Sequence, residues 1–491
     1  MKKIIYSVAV VMVLIMSSAC KKWLDTQPRD GITRQGFWKT KEDIQAAVSG
    51  CYASLLAPPP GINDRALTEY MFMFGEFRAD MIDPAAAALT DELDIFNVNI
   101  TDNNSLVRWS AFYRTINFCN TVIDNAPAVR EIDPTLTAGQ LNAYLSEVLT
   151  LRSMMYFYLV RSFRDVPLKL TATTRDTDLQ SLPKTAGAAI LNQIVSDLKT
   201  AETGAVTSYG NNVTDKGRVT KFTVNALLAD VYLWMDNYQG CIAECNKVIN
   251  SQRFAMQSAA SSWYLNVFFN GSSTETIFEF ANTGAVNNIF FNLLVNRNKR
   301  YTASAYLPSD VFIADDVDPD RNFDIRGDAF YNTSDLTITK WGTENISFVN
   351  WQAYRITDVL LLKAEALAQT DAGQEALNII ADIRLRRNAV SATAQTVDPA
   401  DKDAICDYIL AERSREFAFE GKRWFDVLRI AKRDNYRRLS VLLGMVAQTV
   451  SPAVQQSALA KYQDFNSHYL PILQSEIVTD PQLVQNPFYT R

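Results

Sequence analysis

The chain has 491 residues, 48% of them hydrophobic and 21% charged, and a net charge of −6. This is the composition of a folded globular protein, not a disordered one, and the length allows one large domain or two. A mildly acidic balance with no basic block excludes nucleic acid as a natural partner, and after Met16 no segment is apolar for long enough to cross a bilayer.

Lys2 and Lys3 lead an apolar run from Ile4 to Met16, followed by Ser17, Ser18, Ala19 and then Cys20. A charged start, a short apolar stretch and small residues form a secretory signal peptide. The run is shorter than the ~20 residues of a membrane span. A cysteine directly after the small residues makes the cleavage site a lipobox, with Ser17 where Leu is usual. Residues 1–19 are therefore predicted to leave as a lipoprotein signal peptide, taking the net charge to −8 with Lys2 and Lys3. Cys20 becomes the acylated N-terminus, held to a membrane surface by several acyl chains, because one chain binds only reversibly. Residues 20–36 read as the tether.

The remaining cysteines, Cys51, Cys119, Cys241, Cys245 and Cys406, are odd in number and widely spread, unlike a disulfide framework. Cys241 and Cys245 share a helix face in poor geometry for a bridge. With no CxxC and a single histidine, His468, a zinc site is hard to assemble. All five thiols are predicted to be buried, and His468 to be structural.

Helical periodicity predicts helices at Phe37–Leu56, Leu106–Asn125, Leu141–Phe163, Gly187–Glu202 and Lys402–Ala418, with another starting near Arg423. The clearest unit is Lys221–Ser251: Leu228, Ala229, Tyr232 and Leu233 recur at helical spacing, Asp236 and Asn237 mark a turn, and Cys241, Cys245 and Val248 continue a second helix. Small residues twelve apart, Ala229 and Cys241, match a tetratricopeptide hairpin. Ala364 and Ala376 repeat that offset in Asp358–Asn388. Recurring hairpins predict a mainly α scaffold that stacks its neighbours into one core. Between them, Arg78–Asn104 reads as loop, Val166–Lys184 and Gly204–Gly217 as polar connections, and Trp263–Asn350 as an irregular aromatic stretch with short strands at Thr276–Ala281 and Leu336–Trp341. Long irregular segments in a regular domain tend to carry function.

Three constellations invite a chemical reading. Arg413, Arg415, Glu416, Glu420, Arg423 and Asp426 are dense in charge, and a glycosidase would use Glu416 and Glu420 as its carboxylate pair. Their spacing beside three arginines, with Phe417, Phe419, Trp424 and Phe425 interleaved, reads instead as a joint with its charges paired. Arg355, Asp358 and Glu365 read the same way. Asp316, Asp318, Asp320, Asn322 and Asp324 alternate as a calcium loop does, but Arg321 and Gly327 occupy the positions that need Gly and Glu. The segment thus reads as a solvated acidic loop, with calcium the lesser alternative and no other cofactor expected. The aromatic stretch is the leading ligand candidate. Tyr301, Tyr306, Phe330, Tyr331 and Trp341 stand among Asn, Asp, Arg and Thr, and flat sugar faces stack on rings while polar neighbours bond the hydroxyls. No GxSxG, P-loop or GxGxxG occurs.

Five segments, Trp23–Asp30, Phe37–Tyr52, Arg152–Leu168, Glu412–Arg429 and the ending that starts at Tyr469, together resemble the SusD/RagB family of outer-membrane nutrient-binding lipoproteins. Trp23–Asp30 (WLDTQPRD) looks like that family's opening after the lipobox, and Phe37–Tyr52 like its first helix. Arg152–Leu168 (RSMMYFYLVRSFRDVPL) is very similar to a family signature, with Arg164 in place of Gly. Glu412–Arg429 and the ending YLPILQSEIVTDPQLVQNPFY resemble later segments, with Leu473 and Phe488 where Pro and Gly are common. The matches run in family order over nearly the whole mature chain.

The resemblance implies four tetratricopeptide-like hairpins with a loop-rich ligand face, in a single domain over 37–491 whose N-terminal part ends near 260. It implies a binding protein, not an enzyme, lipid-anchored in the outer membrane and facing the exterior. Such a protein captures oligosaccharides, or peptides in some branches, for a SusC-like TonB-dependent barrel. It places ligand contacts in the loop at Arg78–Asn97, where Asp80, Asp83, Asp91 and Asn97 could bond a ligand and Phe96 is the one ring. A protein-interaction scaffold without a small ligand and a surface glycosidase are the readings from other classes.

Overall fold

The computed structural model describes residues 34–58, 64–175, 178–257, 262–282, 288–313, 324–342 and 349–490. The leader, Cys20, most of the tether and the acidic run Asp316–Asn322 lie outside the described residues.

The scaffold is built from helices α1 (Lys41–Leu56), α2 (Leu67–Glu76), α3 (Ser110–Ile132), α4 (Ala138–Phe163), α5 (Gly187–Gly204), α6 (Lys221–Trp234), α7 (Tyr238–Ile249), α8 (Ile356–Gln369), α9 (Gly373–Arg386), α10 (Lys402–Glu416) and α11 (Arg423–Tyr436). Starts are chemically marked. Thr40 and Asp43 form a capping box at α1, and Thr137 and Gln140 form one at α4. The main packing pairs are α1 on α3, α3 on α4, α4 on α5, α6 on α7, α7 on α8, and α8 on both α9 and α10. This is the mainly α stack that the hairpin spacing predicts.

The small residues are what let the helices approach. Ala229, Cys241, Ala364 and Ala376 are fully buried, and the Cys241 thiol lies 3.7 Å from the Leu362 carbonyl, so α7 meets α8 at that point. The five cysteines after Cys20 are free and buried. Arg152, from the signature segment, ties α4 to α5 through Asp197 at 2.7 Å and to α3 through Asn120 at 2.8 Å. His468 is buried, with Nε2 2.9 Å from the Tyr462 carbonyl oxygen.

Between α7 and α8 the chain leaves the stack for about a hundred residues and returns. The departure is closed at its base by an antiparallel pair, β4 (Thr276–Phe280) with β6 (Trp351–Arg355). It is tied to the N-terminal half by β1 (Ile82–Pro84) with β5 (Tyr301–Ala303), while β2 (Val166–Pro167) pairs with β3 (Lys184–Thr185) in the connection between α4 and α5. Leu336–Trp341, predicted as a strand, is not one. Leu336 takes a positive φ, Thr339 and Lys340 both donate to the Phe330 carbonyl, and one isolated bridge joins Ile338 to Tyr331. A positive φ at a bulky residue breaks an extended run.

Candidate functional site

The segment after α2 is fixed by contacts that the local sequence does not announce. A Cβ on Gly75 would sit 1.7 Å from the Gly421 carbonyl oxygen, so the end of α2 crosses the turn before α11 backbone to backbone. Glu76 accepts the Gly421 N–H at 2.9 Å, and Asp80 accepts from Nε and Nη2 of Arg423 at 2.7 and 2.8 Å. Pairing with β5 then places Asp83 opposite Thr302, and the Asp83 carboxylate accepts the Ala305 N–H at 2.9 Å.

A short helix, Thr90–Phe96, folds back over this strand. Buried Glu92 anchors it, bonding Arg300 at 2.6 Å and Arg65 at 3.1 Å. Asp91 accepts the Ser105 N–H at 2.9 Å and so shapes the loop. The helix ends at Asn97, which is exposed, and leaves the Phe96 ring half-buried. Phe96 stacks on Phe77 with ring centres 5.1 Å apart, and Tyr301 backs both rings at 4.7 and 5.8 Å.

The result is a cleft of about 230 Å³. Its near wall carries Asp83, Phe96 and Asn97; its far wall carries Val446, Thr449, Val450 and Ser451; Arg78 and Tyr462 also line it. Arg78 donates to the His468 carbonyl at 2.7 Å and lies over the Trp424 ring at 4.1 Å. Burial lowers its pKa, and burial pushes the Tyr462 hydroxyl up to about 12. A partly open ring flanked by an amide, a carboxylate and hydroxyls can stack a sugar ring and bond its hydroxyls. A wider groove of about 680 Å³ runs along α9, but its one ring, Tyr408, is buried.

A family model described as the SusD family matches residues 230–489, and a second, described as starch-binding associating with outer membrane, matches 37–233. The chain belongs to the SusD family. It is 26% identical over 483 residues to SusD-like protein P38 of Formosa agariphila, covering 88% of this chain and 92% of that one. A SusD superfamily protein from Bacteroides vulgatus has the same fold, with a TM-score of 0.73 at 21% identity over 92% of this chain and all of that one. Surface glycan-binding protein A from Bacteroides uniformis superposes as well, with a TM-score of 0.73 at 20% identity over 91% and 99% of the two chains.

Within this SusD-family fold the predicted contact residues separate. Asp83 and Asn97 reach the cleft. Asp80 is buried and committed to Arg423, which corrects its reading as a ligand contact. Asp91 is spent on the loop, and Tyr306 is half-buried one turn beyond β5. Tyr301, Tyr331 and Trp341 are corrected too: all three are closed to solvent. Trp341 stacks on Phe290 at 4.4 Å and donates its indole N–H to the Phe419 carbonyl at 2.9 Å, leaving no face for a ligand. The aromatic stretch is rich in rings because it has a core of its own to fill. The far wall of the cleft and the roles of Arg78 and Tyr462 escaped the sequence reading, because these residues lie hundreds of positions apart.

The carboxylates of the charged joint, Glu416, Glu420 and Asp426, are buried. Glu416 accepts from Arg355 and Arg387 at 2.9 and 3.0 Å through one oxygen, and from Arg326 and Arg387 at 3.1 Å through the other. Glu420 accepts from Arg355 and Lys340, each at 2.8 Å. Burial raises the pKa of Glu420, but Arg355 and Lys340 outweigh it and hold the carboxyl at about 2. Burial raises the Glu416 pKa as well, but Arg387, Arg355 and Arg326 hold it well below the usual carboxylate range. Two permanently ionised carboxylates sealed from solvent have no proton to donate and no route to a glycosidic bond. Among the described residues no group of three or more His, Cys, Asp or Glu is placed to hold a metal ion, and no helix is long and apolar enough to cross a membrane.

Proposed function

We propose that this chain is an outer-membrane lipoprotein, acylated at Cys20, that captures an oligosaccharide outside the cell and passes it to a SusC-like TonB-dependent barrel. The observation that carries the reading is the cleft that the half-buried Phe96 ring lines together with Asp83 and Asn97. Family membership supports it, as does the name of the Bacteroides uniformis neighbour, a surface glycan-binding protein. The scaffold gives such a site what binding needs: a wall held rigid by β1–β5 pairing and by Glu92, so that little ordering is left for the ligand to impose. The family description, starch-binding associating with outer membrane, supports that location, and an acylated Cys20 would supply the attachment.

The test is a titration of the full chain in detergent against panels of oligosaccharides and peptides. An oligosaccharide is expected to bind, and Phe96→Ala and Asn97→Ala each to weaken it by about tenfold, the loss of one stacked ring or one well-placed amide. Asn97 is exposed, so its replacement leaves the melting temperature in place. Exclusive peptide binding, or both variants binding saccharide as the parent does, rejects the site. Incorporation of labelled fatty acid that is lost in Cys20→Ala tests the anchor, and co-purification of a barrel with the native protein tests the handover.

A further inference from the structure

We infer that the cleft takes an acidic saccharide, with a carboxylate or sulfate group seated against Arg78; this rests on the reading of the cleft as the glycan site. The observation behind it is an exception among the buried arginines. Arg152 has Asp197, Arg326 has Asp324 and Glu412, Arg387 has Glu275 and Glu416, and Arg429 has Glu365, each within 3.0 Å. Arg78 is buried too, at 6% exposed, yet makes no ion pair with any described residue. One of its N–H groups reaches a backbone carbonyl and the plane rests on Trp424, but Nη2 has no acceptor.

Its neighbours in the cleft do not repair the deficit. The Tyr462 hydroxyl also lacks a partner. Lys461 lies outside the lining and is spent on the Val98 carbonyl at 2.6 Å, so it brings no counter-charge either. Asp83 is the one acid on the wall, and it is engaged by the Ala305 N–H. A guanidinium removed from water without a counter-charge is costly. Two donors without acceptors, one of them a guanidinium, specify a group with several charged oxygens and no hydrogens to offer. A carboxylate or a sulfate ester is such a group, and it matches the guanidinium fork. The burial that lowers the Arg78 pKa is what a bound anion would relieve. In this pose the sugar ring lies on Phe96 and its acidic substituent points inward.

The experiment titrates the full chain with three oligosaccharides of equal length: an oligogalacturonide, its carboxyl-reduced neutral counterpart, and a sulfated galactan. At least one acidic arm is expected to bind about tenfold or more tighter than the neutral one, the worth of one charge-assisted contact. The tighter arm tells carboxylate from sulfate. Arg78→Met is expected to bring the acidic-to-neutral ratio close to one, and Tyr462→Phe to reduce it a few-fold. If Arg78→Met fails to fold, the Tyr462→Phe ratio decides. Neutral saccharide bound as tightly as acidic, and still sensitive to Asn97→Ala, overturns the acidic specificity alone. An acidic preference that survives both variants removes Arg78 from it. No saccharide bound at all overturns the glycan reading and this inference together.

Discussion

Glu416→Gln separates a structural carboxylate from a catalytic one. The side chain is 0% exposed and accepts four hydrogen bonds from Arg326, Arg355 and Arg387, themselves 0% exposed. A glutamine keeps one oxygen and turns an NH2 toward a guanidinium, so it retains two of the four bonds and none of the charge. Two lost charge-assisted bonds at about 1.5–3 kcal/mol each agree with the roughly 3–5 kcal/mol expected for breaking a buried ion pair. For 491 residues the unfolding entropy is about 1 kcal/mol per kelvin. The melting temperature should then fall by about 3–5 °C in a thermal scan. Asp382→Asn is the control: it removes an exposed pair with Arg386 and should move stability by under ~0.5 kcal/mol. A Glu416→Gln protein as stable as the parent would refute the reasoning, and loss of a glycoside-hydrolysing activity without loss of stability would restore the enzyme reading.

Three further outcomes follow from the same contacts. Gly75→Ala should abolish soluble expression or lower the melting temperature steeply, because its Cβ would enter the Gly421 backbone and no side-chain rotation relieves that. Trp341→Ala should destabilise by about 3–5 kcal/mol in urea unfolding, through a cavity beside Phe290 and an orphaned Phe419 carbonyl, whereas a ligand-stacking residue would change affinity alone. His468 should shape the acid limb of stability: burial lowers its pKa from 6.5 to about 4, so the unfolded chain takes up a proton that the folded one refuses. Its contribution is fully present above pH 6.5 and is lost as pH falls toward 4, by about 3 kcal/mol, and His468→Gln should flatten that slope in pH-dependent unfolding.

The scaffold was legible because its signals are local. Small residues at a twelve-residue offset, Ala229 with Cys241 and Ala364 with Ala376, encode close helix approach within one hairpin, and both pairs are buried as that requires. The pairing of Glu416 and Glu420 with arginines was legible for the same reason, since charge and rings alternate along one short stretch. The ligand contacts were not. Tyr301 and Trp341 carry the composition of a binding surface, but whether a ring faces a core or water depends on what the excursion packs against. Asp80 looked free until Arg423, 343 positions away, closed on it. Asp83 and Asn97 reach the cleft because β1 pairs with β5, a contact between distant segments with no mark in either one.

The most direct measurement is a crystal structure of the chain soaked with the best-binding oligosaccharide of the panel. The expected density is a sugar ring lying flat on Phe96, bonded by Asn97 and Asp83, with Val450 and Ser451 across from it. A saccharide seated elsewhere, with this cleft empty, would contradict the assignment of the site.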